Sequence, residues 1–222
     1  MKPSPFLLVD SPTSFKDHPG KFSILLYTNF HLCNLNCYHC HNRNHFRGEP
    51  VYMDYGELSH RLSMAKLLGV ELVIVSGGEP TLEPNLEEGL SFIKEFGFPV
   101  RIDTNGTNPE KLQALIEKGL IDGVALDVKV PLLDDYTPDQ AKRFKRILFS
   151  REDVDDSHLL EYKDKLKLTI KLIKKYSLPF LILRTVEYPL LKEDEKRLIS
   201  EYVKSLPHQF NPFYPVEGTN EE

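Results

Sequence analysis

Apolar residues along this chain alternate between short continuous runs and longer stretches of helical period. Phe22 to Thr28 (FSILLYT) predicts a buried strand. Asp54 can then cap a helix, with Glu57 three residues on, and Leu58, Leu62, Met64, Ala65 and Leu68 supply its apolar stripe. Val70 to Val75 predicts a second strand, followed by a helix from Pro84 to Phe96 that Gly97 stops. Val100 to Asp103 is a third strand, and Asn108-Pro109 opens a helix ending near Gly119. Gly123 to Val128 and Pro179 to Val186 read as strands four and five. A helix around Glu193 to Leu206 and a sixth strand from His208 to Phe213 complete the series.

Strand alternating with helix implies a parallel sheet with right-handed crossovers. Six such units are too few to close an eight-stranded barrel, so the expected fold is α/β, an open (βα)6 partial TIM barrel. Functional residues should then gather at the C-terminal ends of the strands. One interval is long. A helical insertion is expected at 131–177, where Thr137-Pro138-Asp139-Gln140 resembles a capped helix start. Leu160 to Tyr176 is amphipathic and rich in lysine; it reads as a solvated outer helix or as a basic surface for an acidic partner.

Length changes this picture little: 222 residues suit one domain, 1–222, with a polar tail at 215–222 that should fray. A hydrophobic share of 41% and a charged share of 27% fit an ordinary globular protein. The net charge of -5 argues against a nucleic-acid partner. No apolar run approaches the ~20 residues of a membrane span, and MKPSPFLLVD is too short in apolar residues for a signal peptide. A cytoplasmic location is expected, which keeps thiols reduced.

The thiols are the chemical signal. All three cysteines, Cys33, Cys37 and Cys40, lie in CNLNCYHC, spaced C-x3-C-x2-C. Their odd count argues against a disulfide framework. Thiolates gathered this closely suit one soft metal centre. Three of them on a [4Fe–4S] cluster leave one iron open for a small molecule. A Cys3His zinc site using His39 or His41 is the alternative. A second signal follows strand two: Ser76-Gly77-Gly78-Glu79-Pro80. Glycines there let backbone come close to a ligand, and Glu79 or a carbonyl can accept from an ammonium group.

Together these stretches resemble the signature of the radical S-adenosylmethionine (SAM) enzymes. Cys40-His41-Asn42, the turn Asp17-His18-Pro19-Gly20, Asp103-Thr104-Asn105-Gly106, Leu126-Asp127-Val128-Lys129 and Arg184 are similar to motifs of the glycyl-radical enzyme activating branch. The resemblance covers strands one to five. It departs at Asn29 to Leu32, which replace the usual residues before the first cysteine, and at His39, where an aromatic is usual.

The resemblance implies a [4Fe–4S] cluster on Cys33, Cys37 and Cys40, with SAM chelating the open iron. Ser76, Gly77, Gly78 and Glu79 would receive its methionine end, and His39 would pack on adenine through its backbone. Asn105, Lys129 and Arg184 would complete the SAM pocket. Asp103, Thr104, Asp127 and the Leu126 carbonyl would hold a monovalent cation beside it; the two aspartates alone could equally cap the following helices. A flavodoxin or ferredoxin would supply the electron that cleaves SAM, and the 5′-deoxyadenosyl radical would take a hydrogen from a glycine Cα of a partner glycyl-radical enzyme. With no cysteine left for auxiliary clusters, the chain most resembles the activase of anaerobic (class III) ribonucleoside-triphosphate reductase. A pyruvate formate-lyase type activase, a small-molecule enzyme such as a 7-carboxy-7-deazaguanine synthase, and a zinc-binding interaction module are the other readings.

Overall fold

A computed structural model describes residues 2–45 and 48–216. The chain opens with β1 (Pro3–Leu7) and β2 (Thr13–Ser14), then enters the main sheet at β3 (Ser23–Tyr27). The cysteine loop leads to a short helix α1 (His41–His45), and β4 (Tyr52–Asp54) runs directly into α2 (Tyr55–Leu67). Regular alternation follows: β5 (Leu72–Ser76), α3 (Leu86–Glu95), β6 (Val100–Thr104), α4 (Pro109–Glu117) and β7 (Gly123–Asp127). Two helices, α5 (Pro138–Phe149) and α6 (Asp156–Ile173), precede β8 (Ile182–Val186), α7 (Glu193–Val203) and β9 (His208–Asn211).

The sheet order is β2-β3-β5-β6-β7-β8-β9. From β3 to β9 every pairing is parallel and follows chain order; β2 adds an antiparallel edge. This is the open six-unit barrel expected from the pattern. Its central strands are covered on both faces, so Leu72 to Val75 and Val124 to Leu126 are all buried.

The predicted helix starts hold. Asp54 accepts from Glu57 N at 2.8 Å, Asn108 accepts from Lys111 N, and Thr137 forms a reciprocal capping box with Gln140. The stripe of α2 is narrower than the pattern suggested: Leu58, Leu62 and Ala65 are buried, whereas Met64 and Leu68 are exposed. Three apolar positions suffice because only one side of α2 meets the sheet.

Residues 131–177 form the crossover between β7 and β8. Helix α6 buries Leu159, Tyr162, Leu166, Ile170 and Ile173 and packs against α4 and α5. The pair β1–β4, which periodicity does not reveal, forms a separate antiparallel ribbon and buries Phe6 and Leu7. Gly89 on α3 admits this ribbon, since a Cβ there would lie 2.3 Å from Pro5 Cγ. Part of the expected tail, 217–222, lies outside the described residues.

Candidate active site

At the C-terminal ends of the strands lies a cavity of about 550 Å³. Cys33, Cys37 and Cys40 all line it. Their loop is held on several sides. Asn36 N and Tyr38 N donate to the carbonyls of Leu148 and Ile147 at 3.0 and 2.9 Å. Those carbonyls belong to the last turn of α5, where no intrahelical partner exists. On the opposite flank Glu79 N donates to Leu32 O at 2.8 Å, and the Asn42 side chain donates to Gly77 O. Arg43 donates to Leu35 O at 2.9 Å.

Burial pushes the Cys37 thiol up to about 12 and also raises Cys33. Without metal these groups stay protonated; a bound metal displaces the protons. Among the described residues no group of three His, Cys, Asp or Glu side chains is arranged to hold a single metal ion. The three thiols share one cavity, and a four-iron cluster takes one thiolate per iron.

Ser76, Gly77 and Gly78 line the cavity. The glycines, however, are required by neighbouring backbone. A Cβ on Gly77, whose φ is 138°, would lie 2.7 Å from Thr28 O and 2.9 Å from Thr28 N. One on Gly78 would lie 2.5 Å from Leu32 O and 2.7 Å from Asn29 O. Glu79 is not among the residues that line the cavity. It is buried, and its carboxylate accepts from Thr81 N and Oγ1, Thr104 Oγ1 and Asn105 N at 3.1, 2.5, 2.7 and 2.8 Å. Burial raises its pKa, against the opposing pull of those donors. Glu79 therefore braces the loop after β6.

That loop reaches back to the cysteines. Asn105 Nδ2 donates to Asn34 Oδ1 at 3.0 Å and lies 3.9 Å from Cys33 Sγ. Asn34 in turn donates to Thr107 Oγ1 at 2.8 Å. Thr104 lines the cavity, but its hydroxyl is given to Glu79 and accepts from Gly106 N.

The strands β6, β7 and β8 bring Asp103, Asp127 and Arg184 into one layer. Arg184 Nη1 donates to Asp103 Oδ2 at 2.9 Å, while Nε and Nη2 reach Asp127 Oδ1 at 3.2 and 3.0 Å. Lys129 Nζ donates to Asp127 Oδ2 at 3.0 Å. Asp103 Oδ1 accepts from the buried Arg101 Nε at 3.0 Å. Arg101 Nη2 is equally near that oxygen but forms no hydrogen bond. Burial disfavours charge on both Asp127 and Lys129, yet Lys129 and Arg184 hold Asp127 below its ordinary value, and Asp127 holds Lys129 well above its own. Neither aspartate caps a helix; Asn108 and Thr137 do that.

His39 lines the cavity with a positive φ of 48°. Its Nδ1 accepts from Val216 N at 3.0 Å, and Val216 is buried. Phe213 stacks on Tyr38 with ring centroids 5.8 Å apart, and Tyr188 lies beside both. The chain after β9 is thus packed over the cysteine loop as far as Val216, although the sequence suggested fraying from Pro215. His18 lies in the turn before β3, as expected, and its Nδ1 is 3.1 Å from Arg101 Nη1. His31 is exposed on the loop, and the His45 side chain lies outside the described residues.

Sequence reasoning missed Asn34, Tyr188, Phe213 and the C-terminus of α5. Asn42 was visible within its triplet, but its partner Gly77 was not.

An open six-unit barrel with three thiols at one cavity defines a metal-cluster enzyme of the partial-barrel class. Residues 30–148 match the family model of the Radical SAM superfamily, and the chain belongs to that superfamily. It is a radical SAM enzyme, and the family implies a [4Fe–4S] cluster and SAM. A Methanocaldococcus jannaschii protein, provisionally named a glycyl-radical enzyme activating enzyme, is 33% identical over 93% of this chain and 79% of its own length. A probable GTP 3′,8-cyclase of Pyrococcus abyssi is 30% identical over 43% of this chain and 31% of its own. The crystal structure of Streptococcus suis SuiB bound to S-adenosylmethionine superposes with a TM-score of 0.59 and 16% identity. That match covers 93% of this chain and 43% of SuiB, and shows the fold alone. Among the described residues no helix is long and apolar enough to cross a membrane.

Proposed function

We propose that this radical SAM enzyme is a glycyl-radical activase whose partner is an anaerobic ribonucleoside-triphosphate reductase. The observation that carries the reading is the near full-length similarity to the M. jannaschii protein, which spans 79% of that relative. The cyclase match spans less than half of this chain and about a third of that relative.

Cys33, Cys37 and Cys40 would each supply one thiolate to the cluster. When bound, the cluster supplies the electron that cleaves SAM reductively, with flavodoxin or ferredoxin as the donor. The backbone of Ser76 to Gly78 and the layer of Asp103, Asp127, Lys129 and Arg184 would bind and orient SAM. Asn105 positions Cys33 through its amide, and Glu79 holds Asn105 in place. His39 and the segment packed on it from Phe213 to Val216 would close one wall and exclude water. The test incubates reduced, cluster-loaded protein and SAM anaerobically with the reductase. A glycine-centred EPR doublet on the reductase is expected. Turnover of a small molecule, with no doublet on any glycyl-radical enzyme, would overturn the reading.

A further inference from the structure

In the donor set that the family resemblance assigns to a monovalent cation, both carboxylates are already paired with cationic side chains. Asp103 gives one oxygen to Arg101 and the other to Arg184. Asp127 gives one to Arg184 and the other to Lys129. The Thr104 hydroxyl donates to Glu79, and Leu126 lies within the ladder between β6 and β8. An alkali metal ion there would find no carboxylate oxygen free of a cationic partner. The residues present do not fit that ion.

We propose that the Arg184 guanidinium is itself the resident cation of this site, and that SAM binds without an alkali metal ion. The layout supports this directly. Asp127 and Arg184 are register partners on β7 and β8, and Asp103 stands one strand further on β6. Arg184 spans both carboxylates with three nitrogens. A guanidinium stays protonated at any working pH and holds a fixed fork geometry, so it cannot leave as a hydrated ion does. The charges also balance without metal. Asp17, Asp103 and Asp127 face Arg101, Lys129 and Arg184 around the cavity and its floor. Inserting another cation would require expelling a paired, largely buried one, which costs more than the surface exchange of an ion. A site whose charge is built in has nothing to order when SAM arrives.

The inference rests on SAM being the ligand, and two readouts keep the two apart. In the first, metal-free protein is melted in choline, sodium and potassium chloride at equal ionic strength. Equal midpoints are expected, because a specifically bound ion stabilises the folded state by mass action. In the second, SAM affinity of the cluster-loaded protein is titrated in the same salts. Wild-type affinity should agree within about twofold, whereas Arg184→Gln should lose about tenfold in choline and recover in potassium. Arg184→Lys, which keeps a charge, should stay insensitive to the salt. A midpoint raised by one alkali ion alone, or a wild-type affinity about tenfold weaker in choline, overturns the proposal. The wild-type measurements decide the matter even if the variants fold poorly. Absence of SAM binding in every salt would count against the functional reading instead, and the melting comparison would still decide the cation question.

Discussion

Gly78 and Leu32 meet backbone to backbone: a Cβ on Gly78 would lie 2.5 Å from the Leu32 carbonyl oxygen, and Glu79 N donates to that same oxygen at 2.8 Å. The glycine pair after β5 therefore seats the cysteine loop as well as lining the cavity. Gly78→Val must push Leu32 and Asn29 outward, at a cost of about 1–3 kcal/mol. Iron incorporation should fall together with SAM affinity. Iron analysis beside a melting curve checks this, and full iron with weakened SAM binding alone would contradict it.

The three thiols have no substitute in the chain. Cys33→Ala, Cys37→Ala and Cys40→Ala should each reduce anaerobic reconstitution well below about four irons per chain and abolish SAM cleavage. Iron and sulfide assays measure it. A variant that kept wild-type iron and turnover would exclude its residue from the cluster.

The Glu79 carboxylate accepts from four donors. Glu79→Gln places an amide N–H₂ against those donors and should cost about 1–3 kcal/mol. Because Thr104 and Asn105 are among the partners, the Asn105 contact to Cys33 should loosen as well. Chemical denaturation gives the stability change, and the EPR spectrum of the reduced cluster reports the altered surroundings of Cys33.

Arg143 on α5 clamps the buried Glu195 of α7 with two hydrogen bonds of 2.8 and 2.6 Å. Burial pushes the Glu195 carboxyl up, but Arg143 and the Lys192 backbone outweigh it and hold it below the ordinary 4.5. A depressed carboxylate stabilises the fold fully above its unfolded pKa and loses that contribution as pH falls through the folded value. Glu195→Gln should therefore cost about 1–3 kcal/mol near neutrality, since it leaves the guanidinium only the exposed Asp139 as its anion. The gap to wild type should narrow below pH 4.5, the ordinary carboxylate value. Melting midpoints across pH test this; a gap that widened in acid would refute it.

The order of the barrel was legible because the central parallel strands are buried on both faces and three of the helices open on a capping side chain that the sequence shows. Leu72 to Val75 and the Asp54, Asn108 and Thr137 caps are local signals. The ribbon of β1 and β4 was not, since Pro3 and Pro5 weaken the strand pattern and its partner lies some 50 positions away, as in the pairing of Pro3 with Asp54.

What the sequence by itself determined is the set of chemical groups and their place along the chain. Three cysteines at close spacing follow strand one, a glycine pair follows strand two, and acidic residues end strands three and four. These are short-range patterns, and period and spacing encode them. Tertiary structure alone decided which groups face one another. Glu79 could not be assigned to the interior from its position beside the glycines; only the approach of β6 gives it Thr104 and Asn105 as donors. Asp103 and Asp127 could not be known to share Arg184 until β6, β7 and β8 were laid side by side. Phe213 reads as the end of a strand, and Val216 as part of a polar tail, until Tyr38 and His39 meet them. Each of these pairings joins residues far apart in the chain, and no local pattern records a long-range contact.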